Sequence, residues 1–226
     1  MRDVSGESRA RRYWESNYQR PLVLGQGVEQ IFATLRAIRS HGPWVDLGAG
    51  PFSVLWALAI EHADSLAAVD IDAEALEIGA DNWGGYLDGA FVRSLVARRL
   101  VEARDLARVA ALPRRYTRGD AMFDQWPFQP APIITALGLA ALIPTDSQLI
   151  DWLHAVLSGL TPGGEFVGAS WLAVGRDSPL GTLGCDGLAS VLQRLGAVVH
   201  SCQHVRIQDG GEFESLILWH AALPDQ

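Results

Sequence analysis

A β-rich run enters a two-glycine turn at Trp44-Val45-Asp46-Leu47-Gly48-Ala49-Gly50-Pro51, and this junction constrains the fold more than any other feature of the chain. Glycines let a backbone bend sharply and approach a ligand closely. A strand that runs through such a turn into a helix is where doubly wound α/β sheets bind nucleosides. A lone GxG is weak evidence, but here Asp70 follows about 22 residues after Gly48, just past a second β-rich run. An acid at that point is placed to accept hydrogen bonds from ribose hydroxyls.

The rest of the chain alternates short β-rich runs with helix-period segments, the pattern of stacked βαβ units. It predicts an amphipathic helix over 28–39, a strand over 44–47, a helix running through 60, a strand over 66–71 and a helix from 73. An inserted helical stretch with a glycine-rich lead-in covers 84–112. Strands follow near 116–118, 133–137 and 165–170, with a helix over 147–160 that stops at Thr161-Pro162-Gly163-Gly164. The tail reads as an antiparallel hairpin, 197–207 and 213–221, turning at Asp209-Gly210-Gly211. The expected fold is therefore α/β: a doubly wound, mostly parallel, Rossmann-like sheet with an antiparallel C-terminal hairpin, in one domain spanning 1–226.

Composition narrows the chemistry. The 226 residues carry a formal net charge of −8, which argues against a nucleic-acid partner. Arginines between Arg93 and Arg118 are interleaved with Glu102, Asp105 and apolar positions, the look of a solvated helix face. Every basic residue in the Lys+Arg count is an arginine. Schiff-base lysine chemistry and a P-loop lysine are thereby excluded, and no GxSxG elbow is present. The longest apolar stretch, Ile133 to Ile143, contains Gly138 and ends at Pro144, too short for a membrane span. Residues 1–12 are polar and basic, without the apolar core of a secretory signal. Cys185 and Cys202 form no CxxC pair or disulfide framework. The expectation is a cytoplasmic protein with no membrane partner, a monomer or homodimer.

The turn also discriminates between ligands. A dinucleotide fingerprint wants a third glycine where this chain has Ser53, and an anion-friendly helix start. Pro51 removes a backbone N–H, and the Asp46 carboxylate sits beside the turn. A carboxylate there repels phosphate but suits a ligand bearing an ammonium and a sulfonium, which favours S-adenosylmethionine. Asp120, in Arg118-Gly119-Asp120-Ala121 after the third strand, is placed to accept from an adenine amine; the bland alternative is a turn or cap. The expected cofactor set includes Asp46, Gly48, Ala49, Gly50, Asp70, Ile71, Asp120, Ala121 and Ala136.

With these motifs the chain resembles class I methyltransferases, and among them the nicotinamide and phenylethanolamine N-methyltransferase group. Val45-Asp46-Leu47-Gly48-Ala49-Gly50-Pro51 looks like the family's glycine motif, proline included, and Val69-Asp70-Ile71-Asp72 like the acidic end of its second strand. Leu160-Thr161-Pro162-Gly163-Gly164 is similar to the turn before its fifth strand, and the long insert is shared. Tyr13-Trp14-Glu15-Ser16-Asn17-Tyr18 resembles that group's N-terminal lid, here placed over 1–40. The resemblance implies that Tyr13 and Tyr18 close over the methionine end, where an aromatic face attracts a sulfonium. Two positions depart from the group: its tyrosine after the glycine turn is Val54, and its acceptor-binding acid falls on Ala140.

Attack on a sulfonium carbon needs alignment and exclusion of water more than covalent help, so the sequence names no catalytic residue with certainty. Tyr13, Tyr18 and Asn17 are catalytic candidates. Trp14, Asn17, Trp171, Arg176, Glu212 and Glu214 are acceptor-pocket candidates, because they fall in the lid or at strand ends. The leading expectation is methyl transfer to the nitrogen of a small amine or heterocycle. A second is attack at the methionine γ-carbon with methylthioadenosine leaving, either as aminocarboxypropyl transfer or as closure to azetidine-2-carboxylate. A third is a non-catalytic cofactor-binding regulator. His200, Cys202 and His204 alternate along a predicted strand and could share one face. No fourth ligand is evident there, and the expectation is that no metal is bound.

Overall fold

A computed structural model describes residues 9–122, 129–208 and 211–225. Seven strands form one sheet in the order β3-β2-β1-β4-β5-β7-β6. The first five are parallel: β1 (Gly42–Leu47), β2 (Ala63–Asp70), β3 (Arg114–Arg118), β4 (Ala131–Leu137) and β5 (Leu160–Ala173). The last two, β6 (Val198–Arg206) and β7 (Phe213–Ala222), pair antiparallel with each other, and β7 pairs antiparallel with β5. The expected α/β architecture and closing hairpin are both present; the hairpin's expected turn residues Asp209 and Gly210 lie outside the described residues.

Helices cover both faces, as the apolar runs of β1, β4 and β5 require of strands buried on two sides. One face packs against α1 (Arg9–Tyr18), α2 (Val28–Arg36), the short α3 (Ser53–Ala57) and α4 (Ala73–Asp81). The same face carries the insert, which is three short helices rather than one: α5 (Trp83–Leu87), α6 (Ala90–Ala97) and α7 (Ala103–Ala111). The other face packs against α8 (Asp146–Ser158) and α9 (Pro179–Arg194). Among the described residues no helix is long and apolar enough to cross a membrane.

The insert braces the element that opens in the glycine turn. Arg108 of α7 donates to the carbonyls of Ile60 and Ala57, each at 2.8 Å, capping the carbonyl end of α3 and the turn after it. Asp105, 3% exposed, pairs with Arg36 of α2 at 3.1 Å and caps α7 through the Glu102 amide. Trp83 of α5 donates to the Val109 carbonyl at 3.0 Å. Helix α2, the insert and α3 are thereby packed together.

Two segments differ from the sequence expectation. The Thr161–Gly164 stretch, expected as a turn before the strand, is a bulge within β5: Ala131 pairs with Leu160 and Ile133 with Glu165, so extra residues loop out between them. Helix α9 was not foreseen. Its N-cap Ser178 accepts from the Gly181 amide at 3.1 Å, and Pro179 opens its first turn.

Where β5 meets β7, Gly168 lies opposite Trp219, and a Cβ at 168 would fall inside the buried indole. A Gly168→Ala substitution should therefore overpack the core by about 1–3 kcal/mol, lowering Tm by several degrees in a chain of this size. Calorimetry checks this; an unchanged Tm would mean that the indole relocates freely.

Candidate functional site

The C-terminal ends of β3, β2, β1 and β4 stand side by side. Leu47 is level with Val69, Asp70 with Arg118, and Asp46 with Thr135. The glycine turn, Asp70, Gly119–Asp120 and Leu137–Gly138 therefore share one rim. The turn itself uses left-handed backbone at Gly48 (φ 65°) and Gly50 (φ 51°), which a side chain would strain. It is tied to the neighbouring strand by the Ala49 amide, which donates to the Val69 carbonyl at 3.0 Å.

Asp46 lies beneath this turn. It is 1% exposed, and its two oxygens accept from the hydroxyls of Thr135 and Ser53, each at 2.6 Å. Trp44 in turn donates its indole N–H to the Thr135 hydroxyl at 2.8 Å. Burial pushes the Asp46 carboxyl up to about 6, against the lowering effect of the two hydroxyl bonds. The sequence placed this carboxylate beside the turn as a partner for a cationic ligand; in the structure its observed hydrogen bonds fix the turn from below. Ser53 and Thr135 were not foreseen as site residues. Ser53 stands where a dinucleotide fingerprint has its third glycine, and its hydroxyl is what that position contributes.

Asp70 ends β2 half-buried on the rim. One oxygen accepts from the Gly50 amide and the other from the Asp72 amide, both at 2.8 Å. Burial raises its pKa, opposed by these amide bonds. The carboxylate thus keeps lone pairs for further donors while holding the turn in place. Ile71, next to it, is 61% exposed, an apolar surface beside an acid. Asp120 accepts from the Met122 amide at 2.9 Å, an Asx turn just beyond β3. Ala121 and Ala136 bury their side chains, so they reach the rim through backbone atoms alone.

In α1, the side chains of Tyr13, Asn17 and Tyr18 lie outside the described residues. Trp14 is buried, stacked on Phe52 at 5.9 Å and packed on Tyr86 at 4.8 Å. It anchors α1 to the residue that follows the glycine turn instead of presenting itself to solvent. The chain after α1 is pinned along the same rim. Leu22 donates to the Ser94 hydroxyl at 2.8 Å, and the Gly25 carbonyl accepts from the Gln208 amide at 3.0 Å. Trp171 of β5 donates to the Gln26 carbonyl at 3.1 Å and lies next to Gly138. Arg176, Glu212 and Glu214 are exposed around the β5 and β7 ends, where the Val174 amide donates to the Glu212 carbonyl at 2.9 Å. Val54 and Ala140, at the two departures from the resembled group, are both buried.

The expected one-sided row of His200, Cys202 and His204 is broken by a bulge. Val199 pairs with Ala221 and Ser201 with His220, leaving His200 unpaired in the ladder. Cys202 faces α9 and the Cys185 thiol, and burial raises its pKa. His200 turns to the opposite face, its ring 4.8 Å from that of His220.

No protein-family model matches the chain, and no curated protein matches it in sequence. Solved structures do match. The N-methyltransferase NodS from Bradyrhizobium japonicum WM9, in complex with S-adenosyl-L-homocysteine, superimposes with a TM-score of 0.62 over 96% of this chain and 94% of that one, at 13% identity. The chain has the class I methyltransferase fold. An S-adenosylmethionine-dependent methyltransferase from Clostridium acetobutylicum ATCC 824 (TM-score 0.56, 11% identity, 89% of this chain and 93% of that chain) shares it. So does one from Aquifex aeolicus (TM-score 0.54, 9% identity, 96% and 100%).

Within that methyltransferase fold, the buried Asp46 predicts a pH signature. Its folded pKa of about 6 stands above its ordinary 3.8, so its contribution to stability is full below pH 3.8 and is lost as pH rises through 6. The loss is on the order of 3 kcal/mol. Urea unfolding of Asp46→Asn should lack this decline between pH 4 and 7. Equal slopes in variant and parent would overturn the assignment.

Proposed function

We propose that the chain is an S-adenosylmethionine-dependent methyltransferase that acts on a nitrogen of a small amine or heterocycle, in the cytoplasm, as a monomer or homodimer. The observation that carries the reading is Asp70, half-buried on the rim of a methyltransferase fold with both oxygens braced by amides of the glycine turn and of Asp72. The residues suit the nucleoside. Asp70 offers acceptors for a pair of ribose hydroxyls, the exposed Ile71 an apolar face for the base, and Asp120 an acceptor for its exocyclic amine. NodS, with its bound S-adenosyl-L-homocysteine, lends support by analogy. When bound, S-adenosylmethionine supplies an electrophilic methyl carbon on a sulfonium sulfur.

The chain's own part is to bind, orient and exclude water. The glycine turn, fixed by Asp46, sets the height of the rim floor. The segment from α1 to α2, held by Ser94, Gln208 and Trp171, screens the rim from solvent. Tyr13 and Tyr18, carried by α1, are the aromatic candidates to face the sulfonium, with Asn17 beside them. Trp14 acts by docking α1, and Trp171 is the strongest candidate to line the acceptor side. Arg176 and Glu212 would meet only a substituent that extends outward.

One observation favours a second use of the same cofactor. The loop after β4, Gly138-Leu139-Ala140-Ala141-Leu142, offers no polar side chain to an acceptor amine. Attack at the γ-carbon by the cofactor's own amine would require none.

Incubation with S-adenosylmethionine, alone and with a panel of small amines and heterocycles, separates the readings by the nucleoside formed. S-adenosylhomocysteine appearing only with an acceptor is expected. Methylthioadenosine would replace methyl transfer with γ-carbon chemistry, and tight binding without either product would make the chain a regulator. Asp70→Ala removes two charge-assisted hydrogen bonds, worth about 1.5–3 kcal/mol each. Cofactor affinity measured by calorimetry should then fall at least about a hundredfold.

A further inference from the structure

At the end of the sheet opposite the glycine turn, three side chains converge that methyl transfer does not use. Glu165 starts the regular part of β5 and His220 lies near the end of β7; both are 5% exposed, and His220 Nε2 lies 2.8 Å from Glu165 Oε1. The other carboxylate oxygen, Oε2, accepts from the amides of Arg39 at 2.7 Å and Ser40 at 2.5 Å, in the loop between α2 and β1. His200 completes the group from the bulge in β6. One ligand atom from each of the three residues lies within 4.8 Å of the other two.

We propose that Glu165, His200 and His220 form a binding site for a first-row divalent cation of the zinc type. Two imidazoles and one carboxylate are a donor set that such ions favour, and bonds of about 2.0–2.2 Å suit them. Ligand atoms sharing one tetrahedral ion then stand about 3.4 Å apart. Glu165 and His220 stand 2.8 Å apart in a hydrogen bond, which an entering ion would replace by a small opening of the pair, and the exposed His200 would reach the ion by a rotamer change. Two further features set this cluster apart from an ordinary buried ion pair. The carboxylate is oriented by two backbone amides through the oxygen that does not face His220, as outer-shell partners orient a ligand. The bulge spends a ladder position of β6 to bring His200 to the face of His220, away from Cys202 and His204. Glu165 and His220 are buried and His200 is exposed, so an ion would enter from the His200 side. Bound there, the ion would join the edge strand β6 to β5 and to the Arg39–Ser40 loop, and would stabilise the folded chain by mass action.

The test uses the untagged full chain, stripped with a chelator and titrated with Zn²⁺ by calorimetry, with Co²⁺ absorption as a second readout. One ion per chain, a rise in Tm, and cobalt bands of an imidazole–carboxylate site are expected. His200→Ala alters only an exposed side chain, so it should leave the metal-free Tm near the parent's while weakening Zn²⁺ at least about tenfold. His204→Ala, on the other face of the same strand, should bind like the parent. No uptake, or equal affinity in His200→Ala, would overturn the site, and so would a loss of binding in His204→Ala alone.

Discussion

A buried carboxylate under the glycine turn fixes the geometry of everything on the rim. Asp46 belongs to β1, Thr135 to β4 and Ser53 to the first position of α3, and two hydroxyl bonds of 2.6 Å join them. A carboxylate removed from water is costly unless its lone pairs are filled, so any other arrangement of these three elements would leave it exposed to that cost. The turn therefore has one height relative to its neighbours. Asp70 then reaches the Gly50 amide at 2.8 Å, and the two acids clamp the same loop, one from below and one from the side.

The support extends outward through charge as well as packing. Arg108 satisfies carbonyls at the far end of α3 and just beyond it, while Arg36 and Asp105 hold α2 against α7. The Arg36 side chain is 31% exposed and that of Asp105 4%, so removing Arg36 would leave Asp105 as an uncompensated, nearly buried charge. Helices α1 and α2, the insert and the glycine turn are packed together, with Trp14 against Phe52 and Tyr86 as the link to α1.

Most of this fold could be read from residues close together in the chain. The glycine turn, Asp70 and the strands follow from local pattern, because a parallel strand buried on both faces and a turn needing positive φ leave compositional marks. Helix α9 left a weaker one: Gly181, Gly184 and Gly187 thin its apolar period, and Gly184 has non-helical backbone (φ 60°) that kinks it. Its Ser178-Pro179 start was the available signal. What no local pattern contains is pairing across distance. Asp46 and Thr135 are 89 residues apart, Glu165 and His220 are 55 apart, and the turning of His200 depends on a one-residue slip in β6. The segment after β4 is illegible for a related reason: apolar residues such as Leu139 and Leu142 carry no chemical label.

The placing of β7 between β5 and β6 has a consequence for how the chain assembles. Strand β6 precedes β7 in sequence yet touches the sheet only through it, so β6 waits unpaired until the strand after it is made. In that interval the edge of β5, with Phe166, Val167 and Ala169 along it, offers open backbone groups to any neighbouring chain. The half of the sheet that carries the glycine turn, β1 to β4, does not need the hairpin for its own pairing. Until the hairpin docks, that open edge of β5 is the part of the sheet most exposed to pairing with another chain.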